Sequence, residues 1–139
     1  CALCRLRHVS LLEAAHITPD SDPDGEPVVT NGISLCKLHH AAFDQNILGI
    51  RPDYVVEVRR DILEEVDGPM LRFGLQEVHE SRISVPRREQ MRPNKFSLEQ
   101  RYQLFRETLG RRPQMVNEIE VLLASSTRGI SVGSSHEGS

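Results

Sequence analysis

At 139 residues the chain is long enough for one domain with a modest core and too short for two independent ones. Hydrophobic residues make up 38% and aromatics only 4%, so a bound metal would help such a core to fold. A net charge of −3 with a pI near 6.1 argues against the strongly basic class of nucleic-acid binders, and no apolar run reads as a signal peptide or a membrane span.

Cys1-Ala2-Leu3-Cys4, running on to Arg7, reads as a metal-binding knuckle. Val9 to Ile17 is apolar and loosely alternating, which predicts a strand with His16 near its end. Thr18 to Val29 carries Pro19, Pro23, Gly25 and Pro27 among four acids (Asp20, Asp22, Asp24, Glu26), the composition of a loop. Asn31-Gly32 is a turn signal before the short apolar run Ile33-Ser34-Leu35. Leu38 to Gln45 turns helical, with His40 and Asp44 four apart on one face and Asn46 to Gly49 closing the helix.

Pro52-Asp53 opens a strand over Tyr54 to Arg59, rich in β-branched residues. A helical turn is expected over Ile62 to Val66, ended by Asp67-Gly68-Pro69, and a short edge strand over Arg82 to Val85, stopped by Pro86. Leu98, Tyr102, Phe105 and Leu109 form a helical stripe with Ser97 as the expected N-cap. A further helix is expected over Met115 to Leu123 and a disordered tail over Ser125 to Ser139. Charge is uneven: from Ser81 to Arg112 nine basic residues face three acidic ones, net +6. Such a stretch is either a solvated helix face or an electrostatic footprint for phosphates.

Three cysteines are an odd count, which argues against a disulfide framework and for metal-bound thiolates in a reducing, cytoplasmic setting. Cys1, Cys4, Cys36 and His39 make a CxxC followed by a CxxH, two close pairs that can each supply two ligands to one tetrahedral zinc. With four protein ligands the ion leaves no open position, so its role would be structural. The alternative, a redox pair at Cys1 and Cys4, lacks the surrounding βαβ pattern.

A second, harder donor set interleaves with the first: His16, Asn31, His40 and Asp44. The order His, Asn, His around the CxxC and CxxH resembles the HNH endonuclease family, the ββα-metal nucleases. Leu11-Leu12-Glu13-Ala14-Ala15-His16-Ile17 followed by His39-His40-x-x-Phe43-Asp44 is similar to restriction-associated bacterial members. The resemblance implies that His16 is the general base for water, that Asn31 braces the loop and orients that base, and that His40 and Asp44 hold a catalytic Mg²⁺ or Mn²⁺. Many members carry a further metal-binding Asp or His directly before the base; here that position is Ala15. Either waters and substrate phosphate complete the ion's shell, or a residue such as Glu13 helps.

The fold class expected is therefore α+β: a zinc-stapled ββα core over residues 1–60, a mixed extension over 61–124, and a tail over 125–139. The function implied is metal-dependent cleavage of DNA, with Arg87, Arg88 and Arg92 as candidate phosphate contacts. The chain opens on Cys1 rather than Met and reads as the C-terminal part of a longer protein whose N-terminal domain sets specificity. A double-strand cut from one active centre usually needs two copies, which makes a homodimer an expectation. The competing class is a zinc-stapled nucleic-acid- or protein-binding module without catalysis, in which His16, Asn31, His40 and Asp44 have no task.

Overall fold

The computed structural model describes residues 1–110. The helix expected at 115–123, the tail at 125–139 and Arg111 and Arg112 of the basic segment lie outside the described residues. Among the described residues the architecture is α+β, with two small antiparallel sheets and three α-helices. Among the described residues no helix is long and apolar enough to cross a membrane.

β1 (Leu12–His16) pairs antiparallel with β2 (Gly32–Cys36), in a register that sets Leu12 opposite Cys36 and His16 opposite Gly32. The strand expected from Val9 begins only at Leu12, because Val9–Leu11 closes a 3-10 turn in which Leu11 N–H donates to the His8 carbonyl at 2.9 Å. β2 runs directly into α1 (Lys37–Asp44), which buries His39, Ala42 and Phe43. Cys36 occupies the N-cap position without a side-chain cap bond; its sulfur is turned to the other cysteine and histidine donors instead.

The end of α1 is tightly closed. Asn46 takes the left-handed conformation (φ 54°), Asn46 N–H donates to Phe43 O, and Ile47 N–H donates to Ala42 O at 2.9 Å. This is a Schellman closure with Asn in the usual glycine place. The chain then forms β3 (Leu48–Ile50), antiparallel to β4 (Val56–Val58), which is shorter than the strand expected over 54–59. The expected edge strand at 82–85 is reduced to a single bridge, Arg82 to Val55, with Ile83 N–H donating to the Tyr54 carbonyl at 2.9 Å. α2 (Arg60–Leu63) begins two residues before the turn expected over Ile62 to Val66 and ends at Leu63, overlapping it only at Ile62 and Leu63.

α3 (Lys95–Glu107) starts three residues earlier than the stripe suggested. Its cap is Asn94, whose Oδ1 accepts from Ser97 N–H at 3.0 Å. Leu98 joins a core that includes Leu3, Ala15, Ile17, Leu35, Phe43, Leu48, Ile50, Val56 and Ile83, so the hairpin, α1, the second sheet and α3 share one apolar cluster.

Candidate metal and catalytic centres

The zinc-type donors converge. One ligand atom from each of Cys1, Cys4, Cys36 and His39 falls within 4.8 Å of the others. His39 Nδ1 stands 3.4 Å from Cys1 Sγ and 3.3 Å from Cys36 Sγ, and Cys4 Sγ is 3.9 Å from Cys36 Sγ. Left-handed Arg5 (φ 67°) and a bond from its N–H to the Cys1 carbonyl at 3.0 Å fold the knuckle back so both of its thiols face one way. All three cysteines are free of disulfide bonds.

His39 is 1% exposed, and its Nε2–H donates to the Gly74 carbonyl at 2.6 Å. That bond fixes the tautomer and leaves the Nδ1 lone pair aimed at the three sulfurs, the outer-sphere support expected of a metal-bound imidazole. Three thiolates and one imidazole in a cluster this tight fit a closed tetrahedral zinc site. The Gly74 carbonyl was not visible in the sequence, since 35 residues separate it from His39.

The harder donors divide into two groups. On α1, His40 is flanked by two carboxylates. Its Nδ1–H donates to Glu13 Oε2 at 2.7 Å, while Nε2 faces Asp44 Oδ2 at 3.2 Å. Glu13 Oε1 also accepts from Lys37 Nζ at 3.0 Å. The His40 bond, and then the Lys37 bond, lower the Glu13 pKa below its usual 4.5. His40 Nε2 and Asp44 Oδ2 thus stand side by side as two donors of the type that hard cations take.

His16 is half-buried at the end of β1, with Nε2 3.2 Å from Asp20 Oδ1. Among the described residues no hydrogen bond or ion pair joins His16 to His40. Asn31 is buried and ties the loop that leaves His16: Oδ1 accepts from Thr18 N–H at 2.9 Å, and Nδ2 donates to the Thr18 and Glu26 carbonyls at 3.0 Å each. It therefore holds the backbone two residues past His16 and makes no hydrogen bond to the imidazole. Ala15 is wholly buried and contributes only packing.

Of the basic segment, Arg87 and Arg88 are exposed, whereas Arg92 donates to the Pro86 and Arg87 carbonyls at 2.9 and 3.2 Å and shapes the turn that carries them. Arg101 turns inward to the end of α1, and burial pushes its pKa down against the opposing pull of Asp44. His79 is half-buried and its Nδ1 accepts from Val58 N–H at 3.0 Å.

A family model described as HNH endonuclease matches residues 1–51, the stretch holding the knuckle, the hairpin and α1. No curated protein and no solved structure matches the chain.

Proposed function

We propose that this chain, whose residues 1–51 belong to the HNH endonuclease family, is a metal-dependent DNA endonuclease and the catalytic part of a bacterial restriction-like protein. The observation that carries the reading is the pairing of two donor sets on one hairpin and helix: a closed thiolate cluster that staples the fold, and His40 with Asp44 left over beside it. A purely structural zinc module needs only the first set.

In this reading His16 takes a proton from water. Asp20 beside Nε2 favours the proton on that nitrogen and leaves Nδ1 as the base, the arrangement of an oriented base with a third group behind it. Asn31 keeps the loop after His16 in place, so the imidazole meets the phosphodiester at a fixed distance. His40 and Asp44 would hold Mg²⁺ or Mn²⁺, which when bound neutralises charge on the scissile phosphate and the leaving oxygen. Arg87 and Arg88, presented by the turn that Arg92 braces, would contact backbone phosphates. Zinc on Cys1, Cys4, Cys36 and His39 is structural.

The test is supercoiled plasmid incubated with zinc-loaded protein, with and without Mg²⁺ or Mn²⁺, beside His16→Ala. Metal-dependent nicking that the variant loses while keeping its zinc and fold is the expected result. A folded, zinc-loaded wild type that binds DNA but cuts in no metal would overturn the reading in favour of a binding module.

A further inference from the structure

Glu13 is neither the base nor one of the two metal-ligand side chains on α1, yet its 2.7 Å contact with His40 is shorter than the 3.2 Å contacts of His40 with Asp44 and of His16 with Asp20. A neutral imidazole carries one proton on its two nitrogens, which lie on opposite edges of the ring. Both nitrogens of His40 face a carboxylate, and the shorter contact, Nδ1 to Glu13 at 2.7 Å against Nε2 to Asp44 at 3.2 Å, favours the proton on Nδ1. Nε2 then keeps its lone pair on the edge facing Asp44, whose Oδ2 is 3.2 Å away. Two neighbouring ligands on an octahedral ion with bonds of about 2.1 Å stand about 3 Å apart, so this spacing suits two donors to one cation.

The surroundings distinguish the two edges of the ring. Beside the Nδ1 edge stands the Lys37 ammonium, 3.0 Å from Glu13, which would repel a cation there. Arg101 bonds to the Phe43 carbonyl near the far end of α1 and lines a cavity of about 230 Å³ with Ile17 and Thr18, the two residues after His16. The Asp44 end of α1 is thus the end near the His16 loop, and Nε2 is the edge that faces it.

We propose that Glu13 is a positioning residue of the cation site: it holds His40 in the Nδ1–H tautomer, so that Nε2 and Asp44 together face a divalent cation. This rests on the metal-dependent reading above. It makes Glu13 a partner of a ligand rather than a substitute for the ligand absent at Ala15.

The experiment measures Mn²⁺ binding to the zinc-loaded full chain by electron paramagnetic resonance, for wild type, Glu13→Ala, Glu13→Gln and His40→Ala, alongside zinc content and unfolding temperature. Wild type is expected to bind one Mn²⁺ that His40→Ala does not. Glu13→Ala should bind it about 10- to 100-fold more weakly. Glu13→Gln, whose amide oxygen still accepts from Nδ1–H, should recover most of that loss. Mn²⁺ bound by Glu13→Ala as tightly as by wild type, while His40→Ala loses it, would overturn the inference alone. Equal weakening in Ala and Gln variants would overturn it too, in favour of a directly ligating carboxylate. Wild type binding no more Mn²⁺ than His40→Ala would remove the cation site itself, and the reading on which the inference rests.

Discussion

Arg101 on α3 donates from Nη2 to the carbonyl of Phe43 at 2.8 Å, and in this way the second half of the chain grips the helix that carries Asp44. The same guanidinium lies 4.8 Å over the Phe43 ring and donates to Asn46 Oδ1 at 3.2 Å. A cation at the negative end of a helix, bonded to its unpaired carbonyls, is favoured by both dipole and hydrogen bonding. The family match ends at Arg51, so α3 supplies a brace from outside the matched segment.

Replacing Arg101 by Met keeps an unbranched apolar stem and removes the charge and the donors. It should destabilise the fold by about 2 kcal/mol, with Arg101→Lys in between, because an ammonium cannot serve Phe43 O and Asn46 Oδ1 as a planar fork does. Urea unfolding of the three proteins checks this. An unchanged midpoint in the Met variant would show that α3 contributes nothing to the end of α1.

What the sequence made legible was local. The CxxC, the CxxH, the His40 to Asp44 spacing and the Asn-Gly turn each span only a few residues, and each has one dominant geometry. β3 was missed because Leu48-Gly49-Ile50 is too short for a period and sits directly after a helix end. The cap of α3 was assigned to Ser97 when Asn94 fills it, since both are good caps and only packing of Leu98 and Phe105 chooses between them. Glu13, Gly74 and Arg101 reach the site only through pairings 27 to 58 residues apart, which no spacing rule encodes.

Removing zinc should unfold the N-terminal half, since a structural zinc contributes on the order of 10 kcal/mol to a domain this small. His39 also joins α1 to the turn at Met70–Leu75 through Gly74. Chelation, or His39→Ala, should therefore raise amide exchange in that turn as well as in the knuckle, a pattern that exchange mass spectrometry resolves. Fast exchange confined to residues of the knuckle would contradict the link.

Gly49 lies in β3 under α3, where an added Cβ would stand 2.6 Å from Cγ and Cδ1 of Phe105, a ring only 1% exposed. Gly49→Ala should cost about 1–3 kcal/mol by overpacking. Phe105→Leu costs stability by itself, but in the double variant the two losses should be less than additive, because the smaller side chain vacates the space the methyl needs. Strict additivity in a denaturation cycle would rule out the contact.

Tyr102 donates its O–H to the Glu57 carboxylate, and burial followed by that bond pushes its pKa from 10.0 to about 12. The folded chain holds this proton more tightly than the unfolded chain does. The resulting stability is fully present below about pH 10 and is lost as pH rises towards 12. Tyr102→Phe should lose about 1 kcal/mol near neutrality. Its unfolding midpoint should also fall less steeply than that of wild type above about pH 10, so the gap between the two narrows there.

Asn31 provides the sharpest separation between holding the loop and touching a substrate. Its side chain satisfies one N–H and two carbonyls, so Asn31→Ala leaves three backbone groups without that partner, at a cost of about 2 kcal/mol or more. Asn31→Asp keeps the shape but turns a carboxylate oxygen towards the Thr18 and Glu26 carbonyls, and should be at least as damaging as alanine. Both variants should speed exchange of the Thr18 amide and reduce plasmid nicking together, since the role of Asn31 here is to place the loop behind His16. Nicking lost with Thr18 protection and stability intact would instead assign Asn31 a direct contact with the substrate.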